Sequence, residues 1–257
     1  SLAALVSIGA ALGLAAWAIG RVRRMIGRRH PGMDWYLAAL GMLLLALCAV
    51  VAMPWFPEHR AGLRLFHLHA NLLGFVGLTA LGTLQVLLPT CLGLADPDAA
   101  NRLRRDLKWA ATGSLLIALG AALPAPASMP VAGSGCLLYL VVVFRMLFAW
   151  IGRFHSALLS LHGAAGSLLA ATLGLSGLLL LGPAHGLGHL SGRAAIVAFV
   201  IAFLLPLVSG AASQLLPVWL RPGIQGPWHA NLRRRLCRWS GARGLALLIA
   251  GLLMTMG

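Results

Sequence analysis

The string His67-Leu68-His69-Ala70-Asn71 places two imidazoles and an amide at the head of a segment that then stays apolar as far as Pro89. Polar groups inside a bilayer are costly and tend to mark function. Imidazole is the commonest protein ligand for transition metals and a standard axial ligand of haem iron. An intramembrane His-x-His is therefore a candidate metal or haem site. On an α-helix, His67, Asn71, Gly74, Leu78 and Gln85 fall on one face. That face carries most of the polar and small groups of the segment, so it should look into a helix bundle. His69 lies about 200° further round. The two rings then serve different ligands, or one binds a ligand while the other braces the helix end.

The other histidines extend the candidate set. Pro183-Ala184-His185-Gly186-Leu187-Gly188-His189 reads as a loop on the same side of the membrane as His67. His189 or His185 is thus a candidate partner across an iron from the His67/His69 pair, and the candidate metal ligands are His67, His69 and His189. His155 and His162 are seven residues apart and share a helical face, His162 lying about 10 Å further in. Gly163-Ala164-Ala165-Gly166 follows, small enough to admit a helix or a flat cofactor. These two are candidates for a second haem or a quinol head group. Arg145 is placed to snorkel or to meet a haem propionate. The four cysteines, Cys48, Cys91, Cys136 and Cys237, are isolated, which argues against iron–sulfur, thiolate-zinc and covalently attached haem sites.

The elements that must hold these groups follow from composition. Of 257 residues, 60% are hydrophobic and 10% charged, and the mean hydropathy is +0.90. This is the signature of an all-α, polytopic integral membrane helix bundle. Apolar runs predict about eight transmembrane helices, near 2–20, 35–54, 65–89, 109–124, 132–151, 155–182, 194–217 and 241–256. The net charge of +15 sits in short loops: Arg21 to Arg29, Arg102 to Lys108, Arg153, and Arg221 to Arg238. All are odd-numbered loops, so the positive-inside rule places them in the cytoplasm and both termini in the periplasm. Basic residues placed this way do not form a nucleic-acid stripe. Trp55 and Trp150 are expected at the membrane interfaces. The five carboxylates, Asp34, Glu58, Asp96, Asp98 and Asp106, fall in loops or at span ends, which speaks against a carboxylate-based proton pump.

An internal repeat relates Gly82-Thr83-Leu84-Gln85-Val86-Leu87-Leu88-Pro89 to Gly210-Ala211-Ala212-Ser213-Gln214-Leu215-Leu216-Pro217, with an offset near 130. Residues 1–257 thus read as one transmembrane domain built of two weakly repeated four-helix halves, 1–124 and 125–257. Repeated membrane halves often place a site where they meet.

His67-x-His69 followed by Gly74-Phe75, Gly82, Pro89 and Gly93 resembles the first motif of the NnrS family, haem- and copper-containing membrane proteins of nitrogen-oxide metabolism. The longer string from His67 to Thr90, with the later Gln214 to Pro217, is similar to the haem-copper-oxidase-subunit-I-like membrane domain fused to periplasmic multicopper oxidases and copper nitrite reductases. Ala70 stands where the NnrS pattern is usually acidic. The resemblance carries over to His67, His69 and Asn71. It implies a haem b redox module of a bacterial inner membrane, passing electrons from quinol to a periplasmic copper enzyme, with copper in this chain the lesser expectation. The lipid bilayer is its surroundings, and a homo-oligomer is allowed. The alternatives are copper or nitric-oxide binding without electron transfer, and a structural anchor or assembly subunit.

Overall fold

Leucine, alanine and glycine dominate the long apolar runs, and inside a bilayer such runs must close their own backbone hydrogen bonds as helices. The computed structural model describes residues 2–24, 29–159, 163–186 and 191–255, and among them there is no strand. The elements are α1 (Leu2–Arg23), α2 (Gly32–Ala52), a 3-10 turn (Pro57–His59), α3 (Arg60–His69), a first π segment (Ala70–Gly77), α4 (Leu78–Leu92), α5 (Ala99–Ala122), α6 (Ser128–Leu159), α7 (Ala165–Gly186), α8 (Gly192–Ala198), a second π segment (Phe199–Leu204), α9 (Leu205–Leu220), α10 (Pro227–Leu236) and α11 (Ser240–Leu253). They fall into two compact units, one of residues 1–83 and 98–142, the other of residues 84–97 and 143–257.

Seven helical stretches among the described residues are long and apolar enough to cross a membrane. The expected span at 109–124 is the apolar end of α5, whose first turns carry Arg102, Arg104, Arg105, Asp106 and Lys108. Between the expected spans 132–151 and 155–182 the helix breaks at Phe154, where φ is −123° and ψ is 17°, and a second helical piece of α6 runs on to Leu159. A further turn lies at Gly163, whose φ of 58° suits a glycine. The expected loop at 183–189 begins later, because α7 runs through Pro183 to Gly186. Trp150, expected at an interface, is fully buried, whereas Trp55 is exposed.

In the first unit, α2 is the scaffold. Its Trp35 is wholly buried and donates its indole N–H to the Leu103 carbonyl of α5 at 2.9 Å. Gly74, in the first π segment, lets the backbone lie against α2. A Cβ there would stand 2.6 Å from Met42 Cε and 2.8 Å from Met42 Cβ.

A π segment leaves wide turns with awkward carbonyls, and here side chains serve them. Tyr139 Oη donates to the Leu73 carbonyl at 2.9 Å, Thr79 Oγ1 to Phe75 at 2.7 Å, and Asn71 Nδ2 to His67 at 2.9 Å. The sequence supplies the donors at the places where the helix loosens.

The second unit repeats the device. Gly82 to Gly210 and Pro89 to Pro217 are both steps of 128 residues, and the same step carries 70–77 onto 198–205, which brackets Phe199–Leu204. Ala202, at the centre of that π segment, is crowded by Gly174 of α7 and Gly251 of α11, where any side chain would meet its backbone. Ser167 Oγ donates to the Ser240 carbonyl at 3.0 Å, tying α7 to the start of α11.

Candidate functional site

The last turn of α3 and the head of the first π segment carry the residues singled out from sequence. His67 is half-buried, and its Nδ1 lies 2.9 Å from the Ala46 carbonyl of α2. A carbonyl oxygen only accepts, so the hydrogen is on Nδ1 and the lone pair on Nε2. His69 shows the same pattern through a different anchor. Its Nδ1 lies 2.9 Å from the Leu65 carbonyl, one turn back on its own helix. In both rings a backbone carbonyl holds the Nδ1 hydrogen, which orients the ring and raises the basicity of Nε2. That is the arrangement a metal-ligating imidazole uses.

Asn71 is anchored by its 2.9 Å bond to the His67 carbonyl. Its Nδ2 lies 3.2 Å and 3.4 Å from the two ring nitrogens of His67, committed to neither. The amide therefore supports the ring without fixing it. His67 and Gly74 both meet α2, at Ala46 and Met42, which are one helical turn apart. The face expected to look inward does so over this stretch. Beyond Gly77 the count of 100° per residue no longer applies, because the π turns are wider than 3.6 residues. The alignment of Gln85 with His67 drawn from α-helical geometry is thus corrected. Gln85 itself is fully buried, and neither polar atom of its amide has a hydrogen-bond partner.

The remaining candidates stand apart. His155 is exposed and begins the helical piece that follows the kink at Phe154. His185 belongs to the last turn of α7 rather than to a loop; its side chain, with His162 and His189, lies outside the described residues. Among the described residues, no group of three or more His, Cys, Asp or Glu side chains is gathered as a metal site.

Three features went unread in the sequence. Tyr139 is one of only two tyrosines, and a phenol in an apolar span needs an acceptor, which is the signal that points to it. Asp106 is wholly buried on α5 rather than loop-borne, and Arg102 beside it is 7% exposed. Arg105 binds the Asp106 carboxylate through two nitrogens, at 2.7 Å and 3.0 Å. Those hydrogen bonds hold the Arg105 guanidinium above its usual range. His229 is buried with both ring nitrogens engaged: Nδ1 accepts from Gly226 N–H at 3.1 Å and Nε2 donates to the Arg221 carbonyl at 2.8 Å.

Fold and composition define a multi-pass helical membrane protein. No family model, curated protein or solved structure matches the chain.

Proposed function

We propose that the chain is a haem b redox module of a bacterial inner membrane, with both termini periplasmic, that takes electrons from quinol and passes them to a periplasmic copper enzyme. The observation that carries the reading is the anchoring shared by His67 and His69. In each, Nδ1 lies 2.9 Å from a backbone carbonyl, so Nε2 is the nitrogen that ring would turn to iron. Other described histidines differ: Nδ1 of His30 accepts from Gly32 N–H at 3.1 Å, and Nδ1 of His229 accepts from Gly226. Those rings are fitted to bracing loops.

The residues suit haem better than a bare ion. Haem iron takes most of its ligands from the porphyrin and asks the protein for one or two imidazoles and apolar walls. When bound, haem supplies one-electron chemistry. His67 or His69 would hold it. Because their anchors lie on different helices, one ring ligates and the other positions. Asn71 supports His67. His185 and His189 are further proposed haem ligands, and His155 and His162 belong to a proposed second haem or quinol site.

The test is an absorption spectrum of the purified chain, expressed with haem supplied and reduced with dithionite, beside His67→Ala and His69→Ala. A b-type Soret band is expected, lost in one of the two variants. No Soret band in the parent protein overturns the reading. Copper without iron by elemental analysis would favour metal or nitric-oxide binding without electron transfer.

A further inference from the structure

All five carboxylates of the chain lie at or before Asp106, so residues 107–257 contain none. Three basic residues elsewhere have acidic partners: Arg29 with Asp34, Arg105 with Asp106, and Arg153 with Asp96. The corner formed by the end of α9, α10 and the start of α11 is different. Arg221, Arg233, Arg234, Arg235, Arg238 and Arg243 concentrate there. Their partners are neutral. Arg233 donates to Gln225 Oε1 at 2.5 Å, Arg243 to the Leu236 carbonyl at 2.8 Å, and Arg234 to Asn231. The Arg221 guanidinium lies 4.3 Å from the centre of the Trp228 ring. The Arg238 guanidinium lies 5.9 Å from the centre of the Trp239 ring. None of these neutral partners compensates the positive charge.

Depth in the membrane follows from length. The 14 residues of α11 span about 21 Å at 1.5 Å per residue, less than the hydrocarbon core of about 30 Å. α10, with three arginines in its last turn, cannot enter hydrocarbon. The start of α11 therefore lies close to the boundary and α10 at headgroup depth. An independent feature agrees. Trp239, between the two helices, has φ of 63° and is 68% exposed. A bulky residue in the left-handed region is strained, and this one is not held there by burial. Trp219, at the end of α9, and Ile224, in the segment that leads to α10, are exposed as well. Exposed tryptophans flanked by arginines are the composition of a bilayer interface.

We propose that this corner binds the phosphodiester headgroups of anionic phospholipids. Arg234, Arg235 and Arg238 are the exposed phosphate-binding forks, and Trp239 is the interfacial anchor. Planar guanidinium groups match phosphate oxygens in pairs. The proposal does not depend on haem.

The full chain, in micelles holding equal amounts of dioleoylphosphatidylglycerol and dioleoylphosphatidylcholine, is re-isolated and its retained lipids are counted by mass spectrometry. The phosphatidylglycerol share should exceed that of phosphatidylcholine. R234Q/R235Q/R238Q should lower the preference by roughly fivefold per arginine, while R60Q/R64Q leaves it unchanged. Equal retention by the parent protein, an unaltered triple variant, or an equal loss in R60Q/R64Q overturns the proposal. Should the triple variant not fold, the parent protein still decides: the preference must weaken as salt rises, and a salt-independent preference overturns it. Inorganic phosphate should displace the lipid no better than chloride at equal ionic strength. Selective displacement by phosphate would mean a site for the free anion, and would also overturn it.

Discussion

Tyr139 of α6 donates its hydroxyl to the Leu73 carbonyl at 2.9 Å, inside the first π segment and two residues from Asn71. A π turn weakens the local ladder, and a donor from another helix makes it persist. This one bond couples the shape of α6 to the setting of the candidate ligand turn. Tyr139→Phe keeps the ring and removes the donor. It should cost about 1 kcal/mol, as interhelical hydrogen bonds in membranes do, read as a lowered unfolding midpoint in detergent. Where haem binds, its Soret maximum should also move. An unchanged midpoint would mean that the π segment holds without Tyr139.

Gly74 makes a second coupling explicit. A methyl at this position meets Met42 Cε and Cβ at 2.6 and 2.8 Å, closer than atoms pack. Gly74→Ala should destabilise by about 1–3 kcal/mol, the range of overpacking. Met42→Gly removes both contacts and Met42→Ala only the one with Cε, so the double variant with Met42→Gly should be more stable than the sum of the single effects predicts. Additive losses in a thermal-unfolding cycle would separate Gly74 from Met42.

Much of this architecture is legible in the sequence, and the parts that are not share a cause. Apolar run length yields the class of fold, and the cluster His67, His69 and Asn71 stands out against its surroundings. The Gly-to-Pro repeat marks two related helices. The π segments are invisible because periodicity arguments assume 3.6 residues per turn. The predicted face therefore holds for His67 and Gly74 and stops being countable before Gln85. The break between 151 and 155 is legible because Arg153 interrupts the apolar run; the helix kinks at Phe154 beside it, and Arg153 itself pairs with Asp96 at 2.8 Å. Asp106 reads as a loop charge from composition alone. It is buried because arginine neighbours on its own helix come with it.

Asp106 should accordingly matter for stability. Removing its charge leaves the buried Arg102 and the bonded Arg105 without that carboxylate. Breaking a buried ion pair from one side costs about 3–5 kcal/mol. Arg105 is half-exposed, so water recovers part of that and about 2 kcal/mol is expected for Asp106→Asn. Thermal unfolding in detergent measures it. A loss that is small and disappears in high salt would place the pair among surface bridges.

His229 provides the contrast that gives the His67 tautomer its meaning. Its Nε2–H holds the Arg221 carbonyl at 2.8 Å and its Nδ1 takes Gly226 N–H at 3.1 Å, closing the turn between α9 and α10. With both nitrogens committed to backbone, this ring has none left for a metal, and its work is mechanical. His229→Ala should open residues 221–226, with the Gly223–Ile224 bond the sensitive one. Thermolysin cleavage before Ile224 should become several times faster under conditions where the parent chain is slow, and any haem spectrum should stay unchanged. His67→Ala should do the reverse, altering the spectrum while leaving cleavage before Ile224 at the parent rate. If His229→Ala changes the spectrum as strongly as His67→Ala, the division between bracing and ligating histidines fails.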